Sequence, residues 1–297
     1  MKKFLALALS LVMALSLAAC GSSAGSSAAS ASKSAAASSG ASSASAEPVE
    51  LTVFAAASMT ETLNQIIELY KTVAPNVTIT PTYDSSGTLK TQIQEGAACD
   101  LFISAAQKQM NQLDGTLVGD ADKNPDKLDF IDHDTRVDLL ENKVVLVVPD
   151  GNPAGITSFQ DLTTDKLKLI ALGNSDVPVG SYSLDILKYL GLDAAAMEKA
   201  GKITYGSNVK EVTTQVTEGT VDCGIIYATD AYSAQQGGSK MTVVDTATSD
   251  MCKKALYPGA VLKSSTHAEE AKAFLAYLQT APCSEIFEKV GFTVVSK

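Results

Sequence analysis

The sequence predicts an α/β protein of two hinged lobes, and three observations carry that prediction. Short apolar, β-branched runs alternate with segments of helical period throughout residues 48–297. Two turn-rich stretches, near residues 141–149 and 244–257, read as connections that leave one lobe and return to it. No internal repeat of solenoid period is present. Residues 48–140 and 255–297 are thereby assigned to a first lobe and residues 141–254 to a second, with a cleft between them.

Ahead of the fold, Lys2 and Lys3 precede an apolar stretch from Phe4 to Leu17, the pattern of a secretory signal over residues 1–19. Leu17-Ala18-Ala19-Cys20 matches a bacterial lipoprotein processing site, which implies cleavage before Cys20 and acylation of its sulfur. That anchor would hold the protein at the outer face of the cell membrane without a spanning helix. Residues 20–47 are almost entirely Ser, Ala and Gly, too poor in apolar surface to offset ordering, and read as a tether.

Strands are expected at Leu51–Ala55, Val77–Tyr83, Leu101–Ala105, Lys143–Pro149, Lys168–Leu172, Lys202–Tyr205, Val221–Tyr227, Met241–Val244 and Ala260–Lys263. Between them lie amphipathic helices, the first marked by Leu63, Ile66, Ile67 and Tyr70. Such alternation favours largely parallel sheets, whose ligands gather where strand carboxyl ends meet helix N-termini.

Four junctions of that kind carry the candidate chemistry. Ser58, at the end of Val53-Phe54-Ala55-Ala56-Ala57-Ser58, forms a capping box with Glu61 and taken alone reads as a helix cap. The alanines before it would let another molecule approach the backbone. Ser86, in Ser85-Ser86-Gly87-Thr88, sits in a turn that could also cradle oxygen atoms. Pro178 fixes a third helix start and leaves the N–H groups of Val179 and Gly180 unpaired within the helix. Asn208-Val209-Lys210-Glu211 is a fourth, with Lys210 read as a solvated charge. Tyr227 ends a buried strand and reads as core unless its hydroxyl finds a partner in the cleft. No junction has a Lys or Arg at its tip.

Charge and cysteine usage narrow the partners. The net charge is −10, and loss of Lys2 and Lys3 would take it to −12, which argues against nucleic acid. Apart from Cys20, the cysteines are Cys99, Cys223, Cys252 and Cys283, without C-x-x-C spacing, and only His133 and His267 accompany them, so no cation site is expected. Cys99 and Cys223 read as small buried residues beside strands. An enzyme finds little support: there is no G-x-S-x-G elbow and no metal-spaced His, Asp and Glu set.

Taken in order, V-F-A-A-A-S-M-T, S-S-G-T-L-K-T-Q-I, G-A-A-C-D-L-F-I-S-A, V-P-V-G, G-I-I-Y-A-T-D-A and E-I-F-E-K-V-G-F resemble the molybdate-binding proteins of bacterial ABC importers, over nearly all of residues 50–297. The resemblance implies the two-lobed type II periplasmic-binding-protein fold, with two mixed sheets flanked by helices and joined by a two-segment hinge. It implies a ligand set of Ser58 and Ser86 from the first lobe, and the Val179 and Val209 amides and the Tyr227 hydroxyl from the second. It also implies capture of molybdate, and of tungstate, as transported ligand without any cofactor, delivery to a membrane permease, and action as a monomer. Sulfate or another tetrahedral oxyanion is the alternative ligand. Family members commonly carry alanine at the position of Val179 and serine at that of Gly87, so this chain has one hydroxyl fewer.

Overall fold

A computed structural model of the chain describes residues 47–295. The predicted leader, Cys20 and all but the last residue of the predicted tether lie outside the described residues. The elements run β1 (Val49–Ala56), α1 (Thr60–Val73), β2 (Val77–Asp84), α2 (Ser86–Gln94), β3 (Leu101–Ile103), α3 (Gln107–Asn111), β4 (Val137–Asn142) and β5 (Val144–Val148). They continue through β6 (Ile170–Gly173), α4 (Pro178–Tyr189), α5 (Ala194–Lys199), β7 (Ile203–Gly206), α6 (Val209–Thr217), β8 (Cys223–Tyr227) and α7 (Ala228–Gln236). The chain closes with β9 (Thr242–Thr246), β10 (Ala255–Val261), α8 (Ala268–Tyr277), α9 (Ala281–Lys289) and β11 (Thr293–Val294).

Two sheets result, in the orders β11-β4-β10-β3-β1-β2 and β7-β6-β8-β5-β9. Both are mixed, as the resemblance implies, and not largely parallel as the alternation alone suggests. In the first, β1 is parallel to β2 and β3, whereas β10 is antiparallel to β3 and β4. In the second, β6 is parallel to β7 and β8, whereas β5 is antiparallel to β8 and β9. Every antiparallel pair, that of β11 with β4 included, contains a strand next to one of the chain's two passages between sheets. Only Lys143 separates β4 from β5, and the return runs from Thr246 to Ala255.

Hydrophobic burial explains the local choices. Leu63, Ile66, Ile67 and Tyr70 are the buried stripe of α1, and each contributes on the order of 1.5–3 kcal/mol by leaving water. Tyr70 meets Phe274 of α8 edge-on at 4.9 Å, which fixes α1 to the C-terminal helices. All five residues of β5 and of β8 are buried, so these strands read in sequence as unbroken apolar runs. Two elements escape the sequence pattern. β4 mixes Asp138, Glu141 and Asn142 with its leucines, and β10 carries Pro258, where its register with β4 shifts by a bulge.

Candidate functional site

Each expected site residue falls where a strand of one lobe meets a helix start, and all five are buried. Ser58 lies in a short 3-10 turn between β1 and α1. It caps nothing: α1 has no side-chain cap, and the Ser58 hydroxyl is instead 2.8 Å from the Tyr257 hydroxyl on β10. The capping-box reading is thus corrected. At the next junction the cap is Ser85, whose oxygen accepts from the Thr88 N–H at 3.1 Å. That frees Ser86, the first residue of α2, whose oxygen accepts from the Ala105 N–H at 2.9 Å.

In the second lobe Val177 precedes Pro178, the first residue of α4, so the Val179 N–H has no acceptor four residues back. The Gly180 N–H, expected to be free as well, donates to the Val177 carbonyl at 2.9 Å. Asn208 caps α6 by accepting from the Glu211 N–H at 3.1 Å, which leaves Val209 as the first helical residue with its amide outside the helix's own bonding. Tyr227 ends β8, and its hydroxyl donates to the Ala105 carbonyl of the first lobe at 3.4 Å. It is buried, and its hydroxyl has a partner in the other lobe.

Contacts between the lobes gather these groups into one ring. Ser58 meets Tyr257, and the Tyr257 ring lies edge-on to Tyr227 at 5.8 Å. Tyr227 bonds to Ala105, which bonds to Ser86. Beside Ser86, the Gly87 N–H donates across the cleft to the Asp176 carbonyl at 2.9 Å, two residues ahead of Pro178. Asn208 Nδ2 reaches Asp84 at 3.4 Å. The arrangement also suits Gly87: with the lobes as they stand a Cβ there would lie 2.3 Å from the Asp176 carbonyl oxygen, so a side chain would require the backbone across the cleft to shift.

The electrostatics favour donors. Burial pushes the hydroxyls of Tyr227 and Tyr257 well above the ordinary tyrosine range, so both keep their protons. The helix starts at Val179 and Val209 turn positive dipole ends toward the same region. Among the described residues no group of three or more His, Cys, Asp or Glu side chains could hold a metal cation. Cys99, Cys223, Cys252 and Cys283 are all free thiols, and burial raises the Cys99 thiol to about 12, a value for an inert group.

Several contacts near the ring escape the sequence pattern. Tyr257 is fully buried, holds Ser58, and accepts from Asn142 Nδ2 at 3.1 Å, while Asn142 also donates to Thr229 at 2.8 Å. Phe292 packs edge-on behind Tyr257 at 5.2 Å and Phe287 behind Phe292 at 5.8 Å, which gives the C-terminal F-E-K-V-G-F motif a supporting role. Lys210 is no solvated charge. Its Nζ lies 2.9 Å from both Glu61 oxygens and 3.3 Å from buried Asp230. The run of apolar letters around Tyr257 hides it, and nothing local to Lys210 names a partner 149 residues away.

Comparison with known proteins agrees with this fold. The profile of the bacterial extracellular solute-binding protein family matches residues 51–293. A Bacillus subtilis (strain 168) protein, YvgL, provisionally named an ABC transporter substrate-binding lipoprotein, is 37% identical over 250 residues, covering 84% of this chain and 88% of that one. The molybdate-binding protein ModA of Escherichia coli (strain K12) is 34% identical over 256 residues, covering 84% of this chain and 91% of that one. Among solved structures, the substrate-binding domain of a provisionally assigned molybdenum ABC transporter from Clostridium difficile superposes with a TM-score of 0.60 at 36% identity, covering 84% of this chain and all of that one.

Proposed function

Since the chain belongs to the family of bacterial extracellular solute-binding proteins, its function turns on what its cleft selects, and we propose that it captures molybdate for an ABC importer. The observation that carries this reading is the ring of uncharged donors: hydroxyls of Ser58, Ser86 and Tyr227 and amides of Val179 and Val209, buried between two lobes. Molybdate and tungstate are fully ionised at neutral pH and offer no proton, so a site of donors alone suits them. Phosphate keeps a proton at that pH and would leave it facing donors. An unmatched buried donor costs about 1–3 kcal/mol, enough for tenfold selectivity or more.

Binding follows from the geometry. With the lobes apart, the oxyanion meets the hydroxyls of one lobe or the amides of the other. Closure then brings both sets onto it, and the Gly87 to Asp176 hydrogen bond closes the wall beside Ser86. The Ser58 and Tyr257 hydroxyls hydrogen-bond to each other, and the one that accepts keeps its own proton to donate to an anion beside the pair. The chain between β4 and β5 and the return from β9 to β10 serve as the two hinge segments, dividing the lobes near residues 141 and 255.

In the cell the protein would act outside the cytoplasm as a monomer, held to the membrane through acylated Cys20, and would pass its ligand to a permease without chemical change. Tungstate, nearly identical in size and charge, is a second ligand of the same site. Calorimetry of the soluble chain lacking its leader and Cys20 tests the proposal. One molybdate per chain with a rise in melting temperature is expected; no heat and no thermal shift would contradict it, and heat from sulfate alone would replace the ligand.

A further inference from the structure

Lys210 follows the Val209 amide directly, yet the capture of an oxyanion leaves it without a task. Its charge is engaged on two sides that differ in kind. Asp230, on α7 of the same lobe, has a fully buried carboxylate with no hydrogen-bond partner for either oxygen, and Lys210 Nζ at 3.3 Å is its only ion-pair partner among the described residues. Glu61, on α1 of the opposite lobe, takes the same ammonium with both oxygens at 2.9 Å. The Asp230 contact stays within a lobe and survives opening. The Glu61 contact crosses the cleft and cannot.

We propose that Lys210 is a positioning residue for closure: Asp230 holds its ammonium at the cleft edge, and Glu61 captures it only when the lobes meet, slowing ligand release. An exposed ion pair usually contributes little, because ordering two long side chains offsets the attraction. Here one of those side chains is already ordered by a buried carboxylate, and the lysine is only 33% exposed. The bridge forms after encounter, so it acts on the dissociation rate and not on the association rate. It also sits one residue from Val209, so it fixes the helix start whose amide faces the ligand. The neighbouring cross-cleft contacts, Gly87 to Asp176 and Asn208 to Asp84, are not ion pairs, so salt distinguishes Lys210 from them.

This inference rests on the oxyanion reading, and the experiment separates the two. The soluble chain without leader and Cys20 has no tryptophan, so molybdate release is followed by tyrosine fluorescence in stopped flow. Glu61→Gln and Lys210→Met should each raise the dissociation rate roughly three- to tenfold with association within about twofold, as expected for loss of a partly buried ion pair. The double variant should be no faster than either single one, and Lys210→Arg should retain most of the wild-type rate. Lys210→Met leaves Asp230 unpaired, so it is repeated with Asp230→Asn to separate release from misfolding. Wild-type release unchanged by Glu61→Gln, or a change confined to association, would overturn the proposal. A wild type that takes up no molybdate contradicts the oxyanion reading instead. The bridge is then judged by small-angle scattering, where an expanded Glu61→Gln profile supports it and a profile equal to the wild type's overturns it.

Discussion

In the proposed site the first lobe offers side chains, Ser58, Ser86 and the Tyr257 that holds Ser58, whereas the second offers mainly main-chain amides at Val179 and Val209. A hydroxyl is a switchable group: each one here is already engaged, with Tyr257 or with the Ala105 amide, and each can turn to donate to an anion. An amide at a helix start cannot turn, and it is indifferent to the side chain it carries. The difference teaches where substitution should be felt. A change of side chain removes a donor from the first lobe, and in the second it does so only at Tyr227.

The comparison is broken most severely by the pair Ser58→Ala and Ser86→Ala. Each hydrogen bond to a charged ligand contributes about 1.5–3 kcal/mol, so each single variant should weaken molybdate binding tenfold or more, and the double variant should abolish it in calorimetry. Unchanged affinity in both single variants would remove the first lobe from the site. Next in size is Gly87→Ala. Its Cβ would lie 2.3 Å from the Asp176 carbonyl, so it should weaken binding about tenfold through impeded closure while the melting temperature without ligand stays within a few degrees. Scattering should show the variant remaining expanded in molybdate.

Two buried acids extend the contrast to pH. Burial works to raise the Asp114 carboxyl in the first lobe, but hydrogen bonds from Thr116, His133 and Arg136 outweigh it and bring it down to about 2. Its stabilising contribution is therefore present above the ordinary 3.8 and is lost as pH falls from there toward about 2. In the second lobe, burial raises Asp230 to about 6 despite Lys210, so its native form prefers the proton and stability falls as pH rises from 3.8 to about 6. Melting curves should show Asp230→Asn flattening that upper window and Asp114→Asn flattening the lower one. The smallest effects belong to Val179→Ala and Val209→Ala. Affinity within about threefold is expected, because the amides persist and only packing changes.

The legibility of the sequence divides along the same line. Pro178 and Asn208 punctuate helix starts by local rules, so the free amides behind them could be read from neighbouring residues. The period of Leu63, Ile66, Ile67 and Tyr70 and the apolar runs of β5 and β8 were equally legible. Ser58 reads as a cap because a capping pattern needs only Glu61, whereas its partner Tyr257 lies 199 residues away. β4 and the start of β10 were missed because acids in one and Pro258 in the other oppose strand propensity, which β10 pairing with β3 and β4 overrides. The rule for helix starts leaves the Gly180 N–H free because it omits the tighter bond to Val177.

The central claim, that neutral donors from two unlike lobes select an oxyanion with no proton, is tested most directly by elemental mass spectrometry. The leaderless soluble chain would be exposed to equal concentrations of molybdate, tungstate, sulfate and phosphate and then freed of unbound ions. The account predicts one molybdenum or tungsten per chain and no phosphorus. Phosphorus retained in place of the metal, or no retained oxyanion at all, would contradict it.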